Sequence, residues 1–168
     1  MWRLRTLASQ ILVGILGILL ATVLIGGALD IHLTRQSLDR QYEERARITA
    51  VAVADIPDIA HALETGDQSQ LIRTLAATIA RTTGAAYVVV SDRNGVRYSH
   101  PNPALIGQRL EEPVAVLDGA DHVGIDHGSL GRSANGKAPV LDASGSVIGQ
   151  VSVGILETEV TNQLWKDT

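Results

Sequence analysis

The sequence predicts an α+β domain held behind one membrane-spanning helix. Three observations lead there. An uncharged apolar run extends from Thr6 to Leu29. Helical periodicity follows it as far as Gly84. Beyond Gly84 the period shortens to that of strands, broken at turn-forming sequences. Strands joined by hairpins make a central antiparallel sheet, and the helices must pack on its faces.

The first element is ILVGILGILLATVLIGGAL, long enough to cross a hydrocarbon core of roughly 30 Å as a helix. It exceeds the apolar stretch of a secretory signal, about 7–15 residues, although Gly26, Gly27 and Ala28 would suit cleavage. Arg3 and Arg5 precede it and Asp30 follows it. The positive-inside rule then puts the N-terminus in the cytoplasm and the remainder outside, with Trp2 at the inner interface. From residue 30 to about 54 one helix continues outward. Leu33, Leu38, Tyr42, Ala46, Ile48 and Val51 form its apolar stripe, and Glu43 and Arg47 pair at i, i+4. It is a surface helix over the core, a rod coupling the domain to the membrane, or both.

IPDIAHALET forms a second helix that Gly66 stops, with His61 inside its apolar pattern in a structural role. SQLIRTLAATIARTT forms a third, with Leu71, Leu75 and Ile79 on its apolar side and Gly84 as its stop. AAYVVVS is β-branched and nearly continuous, as in a strand buried on both faces. Asn94-Gly95 then turns the chain, and VRYSH is the return strand. Residues 101–128 read as loop, with one helical turn in PNPALIGQRLEEP. GKAPVLDASGSVIGQVSVGIL is a second hairpin turning at ASGS. ETEVTNQLWKDT reads as helix, and its Trp165 and Lys166 are types found beside a membrane surface. The chain is expected to stop short of a second crossing. Three parts result: a cytoplasmic N-terminus and transmembrane helix (1–29), an extracytoplasmic domain (30–160) and a juxtamembrane segment (161–168).

Composition narrows the chemistry. Hydrophobic residues are 45% of the chain but aromatics only 3%, with no Phe, so the core is aliphatic. Cysteine is absent, which excludes disulfides, thiolate metal sites and cysteine nucleophiles. All 18 acidic residues follow the apolar run, whereas two of the 14 basic ones, Arg3 and Arg5, precede it. The outer part is therefore more acidic than the net charge of -4 indicates, and nucleic acid is not its partner. No nucleophile elbow, P-loop or zinc-protease helix occurs, so no enzyme activity or cofactor is expected in this chain. DHVGIDH brings Asp121, His122, Asp126 and His127 together. The spacing fits no common metal site, and these residues read as solvated loop polars.

Binding chemistry concentrates in two segments. SDRNGVRYSHPNP, residues 91–103, sets Arg97 and His100 close together before Pro101. On a straight strand their side chains point to opposite faces. A bend at Pro101 brings both over one pocket; without it they are two solvated cations on an edge strand. GSLGRSANGKAP, residues 128–139, offers backbone N–H groups with Ser129, Ser133 and Lys137 as further donors. Such a loop suits a carboxylate, or it is merely a flexible surface loop. Ser152 is a lone hydroxyl in the apolar strand QVSVGI, and a buried hydroxyl needs a partner, backbone or ligand.

VVVSDRNGVRYSHPNPALIGQ and GSLGRSANGKAPVLDASGSVIGQVSVGI resemble the extracytoplasmic sensor domains of the CitA/DcuS family of bacterial sensor histidine kinases. The resemblance runs from the anchor to about residue 160. The R-Y-S-H-P and G-S-L-G…G-K-A-P elements, at this separation, carry it. It implies a PAS-like fold, also called PDC or single Cache, with a central antiparallel sheet and a long N-terminal helix. It implies a domain that senses citrate or C4-dicarboxylates outside the cell membrane and signals through it as a homodimer in a two-component system. By motif, Arg97 and His100 match the carboxylate-binding pair. Ser129, Leu130 and Gly131 match the donor loop, Lys137 a lysine of citrate-type members, and Ser152 the serine of the last strand. Asn135 stands where the family usually has an arginine, which removes a bidentate carboxylate clamp, and Arg132 replaces it only if the loop folds inward. Val89 stands where citrate sensors carry a threonine. The competing expectation is a membrane-anchored PAS-like interaction module with no small-molecule ligand.

Overall fold

The computed structural model describes residues 7–67, 70–128 and 131–156. Two compact units are distinguished, Met1–Asp39 and Arg40–Thr168. Helix α1 runs from Leu7 to Ala54. In the first unit its window Gln10–Gly27 has a mean hydropathy of 2.3 and no side chain buried against the rest of the protein. At 1.5 Å per residue that window alone covers about 27 Å. It is the one helix, among the described residues, long and apolar enough to cross a membrane. Thr22 hides its hydroxyl by donating to the Ile18 carbonyl (2.8 Å).

In the second unit α1 buries Ala46, Ala50, Val53 and Ala54. Their spacing, i, i+4, i+7 and i+8, is the core-facing face of a helix. The stripe read from sequence is met in part: Ala46 is buried and Val51 packs against the core, but Ile48 is 55% exposed, and the side chains of Leu33 and Leu38 lie outside those described. Small residues, not large ones, mark this face because the helix lies close against the sheet. Arg47 pairs with Glu44 (2.7 Å) and Asp121 (2.6 Å), not with Glu43. Helix α2 (Pro57–Thr65) opens on proline, whose missing N–H costs nothing there, and buries Ile59, Ala62 and Leu63. His61 is on its exposed side, not in the core. Helix α3 (Leu71–Thr83) buries Ile72 and Ala76. Asp67 caps it, accepting from the Leu71 and Ile72 N–H groups (2.8 and 3.2 Å).

Four strands complete the domain: β1 (Tyr87–Asp92), β2 (His122–Gly128), β3 (Gly131–Leu141) and β4 (Val147–Leu156). They form one antiparallel sheet in the order β1-β4-β3-β2. Alternation sorts the side chains. Val88, Val90, Ala138, Val140, Val151 and Val153 join the helices in one aliphatic core. Polar residues gather on the other face. The β3–β4 hairpin matches the sequence reading. Two other segments do not. VRYSH makes a single bridge to β1, Ser91 to Arg97, and turns aside to pair with 107–110 through Arg97 N–H to Gln108 O (3.0 Å) and Gly107 N–H to Arg97 O (2.8 Å). Residues 122–128 and 131–135, read as loop, are strand β2 and the first part of β3. Their low β-propensity is overridden by packing: a Cβ on Gly136 would lie 2.4 Å from the Arg47 backbone nitrogen and 2.5 Å from the Ala46 carbonyl carbon. Pro139 is tolerated because β2 ends at the pair His122–Lys137, leaving it β4 alone as neighbour. The segment ETEVTNQLWKDT lies outside the described residues.

Candidate functional site

The polar face of the sheet is built in rungs. Val89, Ser152 and Lys137 form one cross-strand rung. Ser91, Gln150 and Pro139 form the rung on one side of it, and Tyr87, Gly154, Asn135 and Gly124 the rung on the other. Over them folds the segment after β1. Asp92 starts it by accepting from the Asn94 and Val96 N–H groups (2.9 and 2.8 Å), with Gly95 at φ 80° completing the turn. Ser99 then holds the bend: its hydroxyl accepts from Val90 N–H (2.8 Å) and donates to Val88 O (3.1 Å), taking the place of a ladder partner. Between sheet and segment lies a cleft of about 280 Å³, lined by Arg97, His100, Lys137 and Ser152 among others. The bend expected at Pro101 thus brings Arg97 and His100 over one hollow.

The cationic groups differ in their settings. Arg97 is only 9% exposed. One guanidinium nitrogen, Nη1, donates to the Arg109 carbonyl (2.7 Å). Among the described residues its Nε is buried with no hydrogen-bond partner, a state that normally costs about 1–3 kcal/mol. Lys137 has Glu112 at 3.7 Å, and that glutamate is 78% exposed. His100 Nδ1 accepts from the Asn102 N–H (2.9 Å), which leaves Nε2 to carry the proton of the neutral ring. Burial, and to a lesser degree the charge of Arg97, holds the imidazole below its ordinary value, against an opposing pull from the Asn102 backbone.

Ser152 and Asn135 both have side-chain partners. The Ser152 hydroxyl accepts from Gln150 Nε2 (2.9 Å), and Gln150 Oε1 accepts from the Ala115 N–H (2.9 Å). Its partner within the sheet is therefore a side chain rather than backbone, and Ser152 itself lines the cleft. Asn135 is buried on β3 and donates through Nδ2 to Asp126. Gly131 opens β3 opposite Gly128. Ser129 and Leu130 lie outside the described residues. Arg132 is not among the residues lining the cleft. Of the four candidate metal-ligating residues, Asp121 goes to Arg47, His122 to Asp118 (3.1 Å) and Asp126 to Asn135; the side chain of His127 is outside those described.

Sequence reasoning does not place Tyr87, Gln150, Asp126, Glu111 or Glu112 at the binding site, yet all of them line the cleft. Gln150 is the most legible of them, because it stands two residues before Ser152 and so shares its face. Tyr87 lays its ring over Gly154, where a Cβ would come within 2.0 Å of it. Burial pushes its phenol up despite a hydrogen bond with Ser133. A second cavity of about 250 Å³ shares Tyr87 and His100 and is walled by Arg73, by alanines of α3 and by Pro101 and Pro103.

An antiparallel sheet with helices on one face and a polar cleft under a folded-back segment on the other is a PAS-like sensor fold of the PDC/Cache type. Residues 33–167 match the family model described as single cache domain 3, and the chain belongs to that family. Among relatives, it is 39% identical over 141 residues to the sensor protein CitS of Halalkalibacterium halodurans, covering 82% of this chain and 26% of that protein. It is 34% identical over 135 residues to the sensor histidine kinase CitA of Klebsiella pneumoniae, covering 79% and 24%. The crystal structure of the Escherichia coli DcuS sensor domain superposes with a TM-score of 0.66 at 28% identity, covering 75% of this chain and 96% of that domain. The chain spans about a quarter of the length of the two full-length relatives.

Proposed function

We propose that this chain is the extracytoplasmic ligand-sensing part of a membrane-bound sensor histidine kinase, and that its cleft binds a small di- or tricarboxylate. The observation that carries the reading is Arg97: a guanidinium buried to 9% exposure, with an unpartnered Nε, lining the same cleft as His100 and Lys137. Burying a donor without a partner is unfavourable unless an acceptor arrives. At about 280 Å³ the cleft is smaller than the roughly 300–1,000 Å³ typical of drug-sized ligands, which fits a small organic acid. Three charge-assisted bonds of about 1.5–3 kcal/mol each reach the roughly 8 kcal/mol of micromolar affinity at the upper end of that range. Gln150 and Ser152 sit on β4, which ends at Leu156 immediately before residues 157–168. Closure of the cleft on an anion would draw on that strand and pass the signal to the chain beyond Leu156. The family resemblance supports a homodimer, with one N-terminal anchor and kinase output in the longer protein.

The test is thermal unfolding of the full chain in detergent micelles against a panel of carboxylates. A ligand at 100 times its Kd adds about 2.7 kcal/mol and raises the Tm. No shift with any carboxylate would overturn the reading in favour of a ligand-free interaction module. Glu112 is an internal competitor for Lys137. Glu112→Gln is expected to tighten carboxylate binding about 2–5-fold, the size of an exposed ion pair, measured by calorimetry.

Binding is also expected to depend on pH through His100. Its pKa lies below the ordinary value before an anion binds, and a carboxylate in reach raises it. The contribution is therefore complete below the anion-free pKa and disappears as pH rises through the anion-bound pKa. The other charged or titratable groups lining the cleft are Arg97, Lys137, Tyr87, Asp126, Glu111 and Glu112. Affinity measured from about pH 5.5 to 8 should fall with rising pH, and His100→Gln should flatten the profile. An unchanged slope in the variant would remove His100 from the site. Below about pH 5 protonation of the ligand's own carboxyls adds an opposing dependence.

A further inference from the structure

Asp126 is a carboxylate lining a cleft that also holds Arg97, Lys137, Glu111 and Glu112. The strand register orders the groups. Arg97 bridges Ser91, on the rung of Gln150. Lys137 is on the next rung with Ser152, and Asn135 on the one after with Gly154. Asp126 lies opposite Ser133, one rung further again, and reaches back to Asn135. Adjacent rungs are two residues apart, about 7 Å along the strands. Along the sheet the charge passes from Arg97 and Lys137 to Asp126, while Glu112 of the covering segment lies 3.7 Å from Lys137. Asn135 orients the Asp126 carboxylate by donating to it but brings no charge to balance it.

We infer that the cleft selects an amino dicarboxylate, with a carboxylate at the Arg97–Lys137 end and its ammonium facing Asp126. This rests on the carboxylate-sensing reading of the same site. A tricarboxylate brings a further negative group to the Asp126 end and meets like charge there. A simple dicarboxylate brings no cation to Asp126. An ammonium satisfies it with a charge-assisted bond across a partly buried, low-dielectric gap. Glu111 and Glu112 on the covering segment add to the negative charge around the cleft and further disfavour a ligand of three negative charges.

The experiment is isothermal titration of the full chain in detergent micelles with aspartate, succinate and citrate, on the unaltered protein and on Asp126→Asn. Aspartate is expected to bind about tenfold more tightly than succinate, the equivalent of about 1.4 kcal/mol. In Asp126→Asn that preference should shrink to about onefold, and citrate should bind about tenfold more tightly than before. Succinate or citrate ranking above aspartate in the unaltered protein overturns the inference, and that ranking decides even if the variant does not fold. A preference that survives Asp126→Asn overturns the role of Asp126. If none of the three probes binds the unaltered protein, the carboxylate-sensor reading itself fails, an outcome distinct from binding without preference.

Discussion

Replacing Arg97 with alanine raises the Kd for a bound carboxylate on the order of 100-fold or more. Arg97 is the most deeply placed cation of the cleft, and its guanidinium has one nitrogen engaged with the Arg109 carbonyl and a buried Nε without a partner. Losing charge-assisted bonds worth about 3 kcal/mol in total gives that factor. Arg97→Ala also orphans the Arg109 carbonyl, so thermal unfolding without ligand must accompany the titration. A variant that melts near the unaltered protein and does not bind separates recognition from folding. Arg97→Lys keeps the charge but not the planar fork, and is expected to recover only a small part of the affinity. An unchanged Kd in either variant contradicts the assignment.

Gly136→Ala destabilises the domain by about 3 kcal/mol or more and lowers its Tm by on the order of 10 °C. The added methyl meets backbone atoms, the Arg47 nitrogen at 2.4 Å and the Ala46 carbonyl oxygen at 2.6 Å, which cannot rotate away as a side-chain tip can. Helix α1 must lift from β3 to make room, opening the contact that Ala46 and Ala50 make possible. Circular dichroism melts of the two proteins measure the difference. A shift within a degree or two would show that α1 does not rest on β3.

The two variants mark what is legible in the sequence and what is not. The helices, β1 and the β3–β4 hairpin carry their own signals: periodicity, stops at Gly66 and Gly84, and a turn at ASGS. Strands β2 and most of β3 do not. GRSANGK is a poor strand by propensity, and it becomes one because small residues let α1 approach and β4 offers an open edge, both facts of tertiary packing. Ile48 reads as buried for the converse reason. The core face of α1 is marked by alanines, which hydrophobic patterning weighs lightly. At the site, Arg97, His100 and Lys137 are legible from their residue types and the bend at Pro101. Their company is not. Asp126 reaches the cleft only through the β2–β3 pairing, and Glu112 through the fold of the covering segment, so neither is close to the cations in sequence.

The most direct test of the central claim tracks the arginine Nε–H resonances of the full chain, ¹⁵N-labelled in detergent micelles, as a dicarboxylate is added. Binding at the cleft predicts that the signal removed by Arg97→Lys moves saturably downfield, as its Nε acquires an acceptor. A carboxylate that binds while that signal stays fixed, or that moves other arginines instead, contradicts the claim that the buried guanidinium of Arg97 captures the ligand.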